Sequence, residues 1–166
     1  AATGKQKYRE GFLKGVQYLL EAQYPSGGWP QFYPLRPGYS SRITFNDGAM
    51  IGAIAILDDV VQRRAPYDLA DNKLREKCKA AVAKGRDCIL KCQIIVKGKK
   101  TVWCQQHDQR TLEPAQGRIS ENPSLSGAES VGVVRYLMSI DSPSPKIIAA
   151  IEGAVRWFKE VKINGV

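Results

Sequence analysis

The chain has 166 residues, 43% of them hydrophobic, and carries 25 Lys and Arg against 16 Asp and Glu, a formal net charge of +9. That length and apolar content suit one folded domain spanning 1–166, and no apolar run approaches the roughly 20 residues of a membrane-crossing helix. The positive excess fits either an anionic partner (nucleic acid, an anionic membrane or an acidic polysaccharide) or a plain basic protein.

In chain order the pattern predicts helices almost throughout. From Lys5 to Gln23, Phe12, Val16, Leu19 and Leu20 form a helical stripe that Gly27-Gly28 break. Residues 27–42 contain Pro30, Pro34, Pro37 and Gly38 and read as a loop. A second helix is expected from Asn46 or Asp47, either of which can cap it, to Arg64. Its stretch from Ala49 to Leu57 is apolar nearly all round, which predicts burial. Asp58-Asp59 near its end resembles acidic pairs that bind Mg²⁺-diphosphate, but a solvated helix end explains it better. A third helix is expected from Asn72 to Val96, then a basic turn at Lys97-Gly98-Lys99-Lys100 and a short extended piece at Thr101-Val102-Trp103. A long loop from Gln105 to Ser124, a helix from Ser126 to Ile140 and a last helix from Pro145 to Ile163 complete the chain. Pro143 and Pro145 stand at the start of that last helix, where proline is tolerated.

Gly15, Gly85 and Gly153 open three similar segments, 70 and then 68 residues apart. The first two end in Gln23 and Gln93 and lead to Trp29-Pro30-Gln31 and Trp103-Cys104-Gln105. A period longer than one helix predicts repeated helical hairpins, with loops gathered at one end around a cleft. The fold class is therefore all-α, an α/α toroid. Two hairpins and one unpartnered helix give the expectation that the chain is a portion of a longer domain.

The loops hold the polar residues suited to chemistry. Trp29, Phe32 and Tyr33, taken as exposed, could stack on sugar rings, and Trp29 and Trp103 could equally plug the core. Asp47 and Asp108 each follow a Trp in different units, so two carboxylates could converge on Ca²⁺, a cation that takes oxygen ligands. Asp47 is also a plausible helix cap and Asp108 a plausible turn residue. A single histidine, His107, excludes zinc sites that need several, and the four cysteines lack zinc spacing. Cys92 and Cys104 could form a disulfide in a secreted protein, leaving Cys78 and Cys88 over. No phosphate-binding glycine loop or serine-nucleophile elbow occurs.

Four runs together resemble the family-10 pectate lyases: Gly27 to Pro34, Ile43 to Met50, Trp103 to Asp108 and Pro123 to Ser130. The resemblance implies a catalytic domain that cleaves α-1,4-linked polygalacturonate by β-elimination with Ca²⁺, leaving 4,5-unsaturated oligogalacturonides. It places the metal on Asp47 and Asp108 and makes Arg110, Arg118, Asn46 and Trp29 the candidate substrate contacts. It implies an arginine base as well, in a segment after the third long helix, and nothing matching that segment occurs before Val166. The family's first helical unit would precede Ala1, so the chain is expected to be truncated at both ends and inactive unless the missing pieces are supplied. Such a protein is expected to be secreted and monomeric, with pectate as partner and neither nucleic acid nor membrane. Two other classes compete. A polyanion- or nucleic-acid-binding helical repeat would explain the charge, though its cations are scattered. A terpene-cyclase-like toroid would need an aspartate cluster that is not convincing here.

Overall fold

The loops of this fold depend on where its helices stop, so the helix ends come first. The structure is a computed structural model and describes residues 5–163. Residues 1–4 and 164–166, to which the expectation of truncated ends refers, lie outside the described residues. Five α-helices follow one another: α1 (Gln6–Ala22), α2 (Ala49–Val61), α3 (Asn72–Cys92), α4 (Gly127–Met138) and α5 (Pro145–Val161). Helices α1, α3 and α5 lie side by side, α2 and α4 touch each other, and each of the latter packs on a neighbouring odd-numbered helix. The expected helical class is correct.

Three boundaries differ from expectation, and one of them is the end of α2, at Val61 rather than Arg64. The second helix begins at Ala49, because Asp47 (φ 54°) and Gly48 (φ 68°) are both left-handed and form a 3₁₀ turn from Asn46 to Gly48. Neither Asn46 nor Asp47 caps α2 through its side chain. The third helix ends at Cys92, four residues early. Ile95–Val96 leaves it as a strand and pairs with Lys99–Lys100 across Lys97-Gly98, whose φ values of 48° and 76° suit a two-residue hairpin turn. At its other end α3 begins as expected: the Asp71 carboxylate accepts from Leu74 N at 2.7 Å, a cap that contributes about 1 kcal/mol.

The core runs between the two helical layers. Met50, Ile54 and Leu57 of α2 meet Cys88 and Ile89 of α3 and Val133 and Leu137 of α4, all buried. Each such aliphatic side chain contributes roughly 1.5–3 kcal/mol on burial. The Asp58-Asp59 pair is not a solvated helix end. Asp58 is buried, accepts from Arg86 Nη2 at 2.6 Å, and lies 3.4 Å from the Tyr136 hydroxyl, which donates to it. One carboxylate thus joins α2, α3 and α4, and leaving it unpaired in the interior would be costly. Asp59 pairs outward with Arg64. The four cysteines are free and buried, so the contemplated Cys92–Cys104 bridge is absent from the structure.

The repeated glycines mark close approach. A Cβ on Gly85 would stand 2.7 Å from Ile54 Cδ1 and 2.9 Å from Trp29 Cζ3, and one on Gly153 would stand 2.6 Å from Lys100 Cβ. At both, the preceding unit's loop lies directly on the next unit's helix. Gly15 has nothing within 4 Å.

His107 is fully buried beneath this arrangement. Its Nε2 accepts from Cys104 N at 3.2 Å, which leaves the proton on Nδ1 to donate to Leu112 O at 2.8 Å. Burial lowers its pKa from 6.5 to about 4, against the opposing bond to Leu112. The unfolded chain therefore binds a proton in this window that the folded chain refuses, and stability falls as pH falls from 6.5 towards 4. The expected slope is about 1.4 kcal/mol per pH unit at most. Denaturant unfolding measured across the upper part of that window should show the slope in the parent chain and lose it in His107→Gln. An unchanged slope in the variant would assign the pH dependence to other groups.

Candidate active site

Two buried indoles bring the loops into place. Trp29 donates from Nε1 to Leu19 O at 2.8 Å, and Trp103 from Nε1 to Ile89 O at 2.7 Å. The glutamines that end the repeated segments act as pins between units. Gln23 Nε2 reaches Gly27 O at 2.9 Å and Ala81 O at 2.8 Å, and Gln93 Nε2 reaches Thr101 O at 2.9 Å and Ala150 O at 2.8 Å. Trp29 is 2% exposed, so the expectation of an exposed sugar platform at this residue is corrected. Its N–H needs a buried acceptor and its ring fills the space above Gly85. Tyr33 is half-buried with its ring edge-on to Tyr18, and Phe32 stays exposed with the Arg36 guanidinium 4.6 Å above it.

The loops of the two units then pair with each other. Ile43–Thr44 (βA) runs antiparallel to Gln106–His107 (βB), with Ile43 opposite His107 and Thr44 opposite Gln106. Gln105 O extends the pairing by accepting from Phe45 N at 2.9 Å and Asn46 N at 3.1 Å. Thr44 Oγ1 accepts from Gln106 Nε2 at 3.2 Å, and the rings of Phe45 and His107 meet edge to face at 5.5 Å. The long second loop is tied to α4 in turn, where the buried Ser130 Oγ accepts from Trp103 N at 3.0 Å.

Asp47 and Asp108 emerge at opposite ends of this short ladder, in separate surroundings. The Asp47 side chain is 61% exposed, and its Oδ2 accepts from Gln31 Nε2 at 3.2 Å and Arg118 Nη2 at 3.3 Å. The Oε1 atom of Gln31 is buried with no hydrogen-bond partner. Arg118 also donates from Nη1 to Glu121 Oε1 at 2.9 Å, and its guanidinium lies 5.9 Å from the Tyr39 ring. Asn46 Nδ2 donates to the same Glu121 oxygen at 3.4 Å. Tyr39 first, then Glu121, holds the Arg118 pKa above its ordinary value. Arg118, a candidate substrate contact in the sequence, is engaged here by Asp47 and Glu121.

Asp108 organises its own turn. Its Oδ1 accepts from Arg110 N at 2.8 Å, Thr111 N at 2.9 Å and Thr111 Oγ1 at 3.3 Å. The backbone N–H groups of Thr111 and Arg110 hold this carboxylate below its usual range. Arg110 contributes its backbone to that turn, and its side chain is exposed. Among the described residues, no three of His, Cys, Asp and Glu lie close enough to hold a metal. A hard cation at Asp47 would have that carboxylate once the Gln31 amide N–H and Arg118 give up their contacts to it, with Glu121 and Asn46 nearby. This open donor set fits a cation that completes its six to eight oxygens from substrate and water.

A cleft of about 500 Å³ opens between α2 and α4, bordered by Asn46, Asp47, Gly48, Gly52, Glu129 and Gly132. A second of about 410 Å³ adjoins it, with Asn46 and Glu129 again on its wall beside Gln105 and Glu121. Sequence reasoning missed Gln31 and Tyr39. A signal for Gln31 was available, since Trp29-Pro30-Gln31 and Trp103-Cys104-Gln105 set a glutamine at the same place in each unit.

The chain matches the family described as pectic acid lyase over residues 1–166. Among solved structures, the family 10 polysaccharide lyase from Cellvibrio cellulosa is 42% identical with a TM-score of 0.92, covering 95% of this chain and 49% of that one. An aspartate-to-alanine mutant of that lyase in complex with trigalacturonic acid matches with the same identity and TM-score, over 95% of this chain and 50% of its own. The chain thus spans about half the length of the solved structures it matches. Among curated proteins, none matches. The fold, the paired loops and these likenesses agree: the chain belongs to the pectic acid lyase family.

Proposed function

We propose that this chain supplies the acidic, carboxylate-binding part of a pectate lyase active site that acts on α-1,4-linked polygalacturonate by calcium-assisted β-elimination. The observation that carries the reading is the βA–βB pairing, which sets Asp47 and Asp108 at the two ends of one rim, with Arg118 beside one and Arg110 beside the other. Family membership and the likeness to a lyase whose mutant is described in complex with trigalacturonic acid support it. The net charge of +9 favours approach of an anionic polymer.

Elimination removes the C5 proton of a galacturonate unit and breaks the C4–O4 bond to its neighbour. Charge builds into the C6 carboxylate as the proton leaves, so groups that neutralise that carboxylate lower the barrier. Calcium, when bound, supplies such neutralisation at the substrate carboxylate. Asp47 would hold it together with substrate and water oxygens, while Asp108, at the opposite end of the ladder, faces a separate part of the rim. The planar forks of Arg110 and Arg118 suit further uronate carboxylates. No described arginine is given the role of base: Arg118 is engaged by Asp47 and Glu121, and Arg86 by Asp58 and Tyr136. We place this activity outside the cell, where pectate is found.

With polygalacturonate as substrate, a complete domain that includes this chain and the segments it lacks should release products that carry the ultraviolet absorbance of a conjugated unsaturated uronide. New reducing ends without that absorbance would identify a hydrolase and end the lyase reading.

The two aspartates call for different substitutions. Asp47 caps no helix, so Asp47→Ala should cost only the roughly 1 kcal/mol of alanine at a left-handed φ of 54°, while turnover falls by about 10²–10³, the scale of one lost electrostatic contact. Asp108→Ala loses three hydrogen bonds of a turn as well as a charge. Asp108→Asn keeps Oδ1 as an acceptor, so it should preserve stability and still lose turnover. Full activity in Asp108→Asn would confine Asp108 to its turn.

A further inference from the structure

We infer that Glu121 is a positioning residue, which keeps Arg118 in the site when a cation occupies Asp47. The inference rests on the reading of Asp47 as a cation ligand. Arg118 stands between two carboxylates and uses a different nitrogen for each: Nη2 for Asp47 at 3.3 Å and Nη1 for Glu121 at 2.9 Å. The contacts are unequal. Glu121 also accepts from the backbone N of Arg118 through Oε2 at 2.9 Å, and Asn46 Nδ2 fastens its Oε1. Its side chain is 24% exposed, against 61% for Asp47. The loop closes on the same pair, since Glu121 N donates to Arg118 O and Gly117 N to Glu121 O, both at 2.9 Å.

A guanidinium and a divalent cation cannot share Asp47 Oδ2 without bringing like charges together. Cation binding therefore displaces Nη2, while Nη1 stays on Glu121 and the guanidinium stays by Tyr39. The freed Nη2 becomes a donor beside the cleft, where it suits a uronate carboxylate. If Glu121 is neutralised, Asp47 is the remaining carboxylate for this guanidinium, and Arg118 competes with the cation for it.

Calcium binding to the metal-free full chain, followed by calorimetry without substrate, tests this. Removing the competitor in Arg118→Gln should tighten binding by about two- to fivefold, the range of an exposed ion pair. Glu121→Gln should weaken it by a similar factor. The double variant should match Arg118→Gln, because Glu121 acts through Arg118 alone. A double variant that binds more weakly than Arg118→Gln would make Glu121 a ligand in its own right and overturn the inference, as would unchanged binding in Arg118→Gln. Asp47→Ala separates this from the wider reading: if calcium binding survives that change, the cation site at Asp47 falls and the inference with it. If binding is lost in Asp47→Ala but indifferent to Arg118, the inference alone falls.

Discussion

The pairing of Ile43–Thr44 with Gln106–His107 joins loops that belong to different helical units. Helices alone would leave those loops independent, each free to carry its aspartate anywhere within reach. Four residues of antiparallel ladder, lengthened by the two bonds to Gln105 O, remove that freedom and place Asp47, Asn46 and Asp108 on one rim. The side chains under the ladder are buried and largely satisfied. Ile43 and Phe45 pack, Thr44 bonds to Gln106, and His107 spends both ring nitrogens on the backbone. Such a ladder is short, so its rigidity comes from what lies beneath it rather than from its own hydrogen bonds.

What lies beneath is the repeat. Each unit sends a tryptophan back to a carbonyl of its own long helix and a glutamine across to the next long helix. A buried indole N–H or amide without a partner would cost about 1–3 kcal/mol, so these four side chains determine how the loops leave the helices. Gly85 completes the arrangement by letting the Trp29 ring lie against the α3 backbone. The same residues that look like chemistry in the sequence therefore serve mainly to hold the acidic and basic residues in place. Asp47, Arg110 and Arg118 stay exposed on this rim, where the proposed substrate would meet them.

Much of this was legible in the sequence. The apolar stretch around Ile54 and Leu57 predicted a buried helix, Asp71-Asn72 and Pro145 marked true helix starts, and the Gly and Gln spacing announced the units. The errors have definite causes. A tryptophan beside glycine and proline reads alike as a sugar platform or a core plug, and only the position of an acceptor such as Leu19 O decides. Asp47 looked like a helix cap because composition cannot show two successive left-handed residues. The basic turn at Lys97-Gly98 was expected, but the strand before it hid inside a helical pattern, since two β-branched residues, Ile95 and Val96, are too few to outweigh the long run before them. Asp58 was misjudged because its partner Arg86 lies 28 residues away on another helix. Arg118 was read as a substrate contact, and its attachment to both Asp47 and Glu121 depends on contacts up to 71 residues apart.

Amide hydrogen exchange at Phe45 and Asn46 tests most directly whether the rim is held by cross-unit pairing. Both amides donate to Gln105 O, so they should exchange only through global opening, as slowly as the amides of Ile54 and Leu57 in the core of α2. Exchange at the rate of an open loop such as that around Ile119, while α2 stays protected, would show that the two loops part freely and would contradict the account.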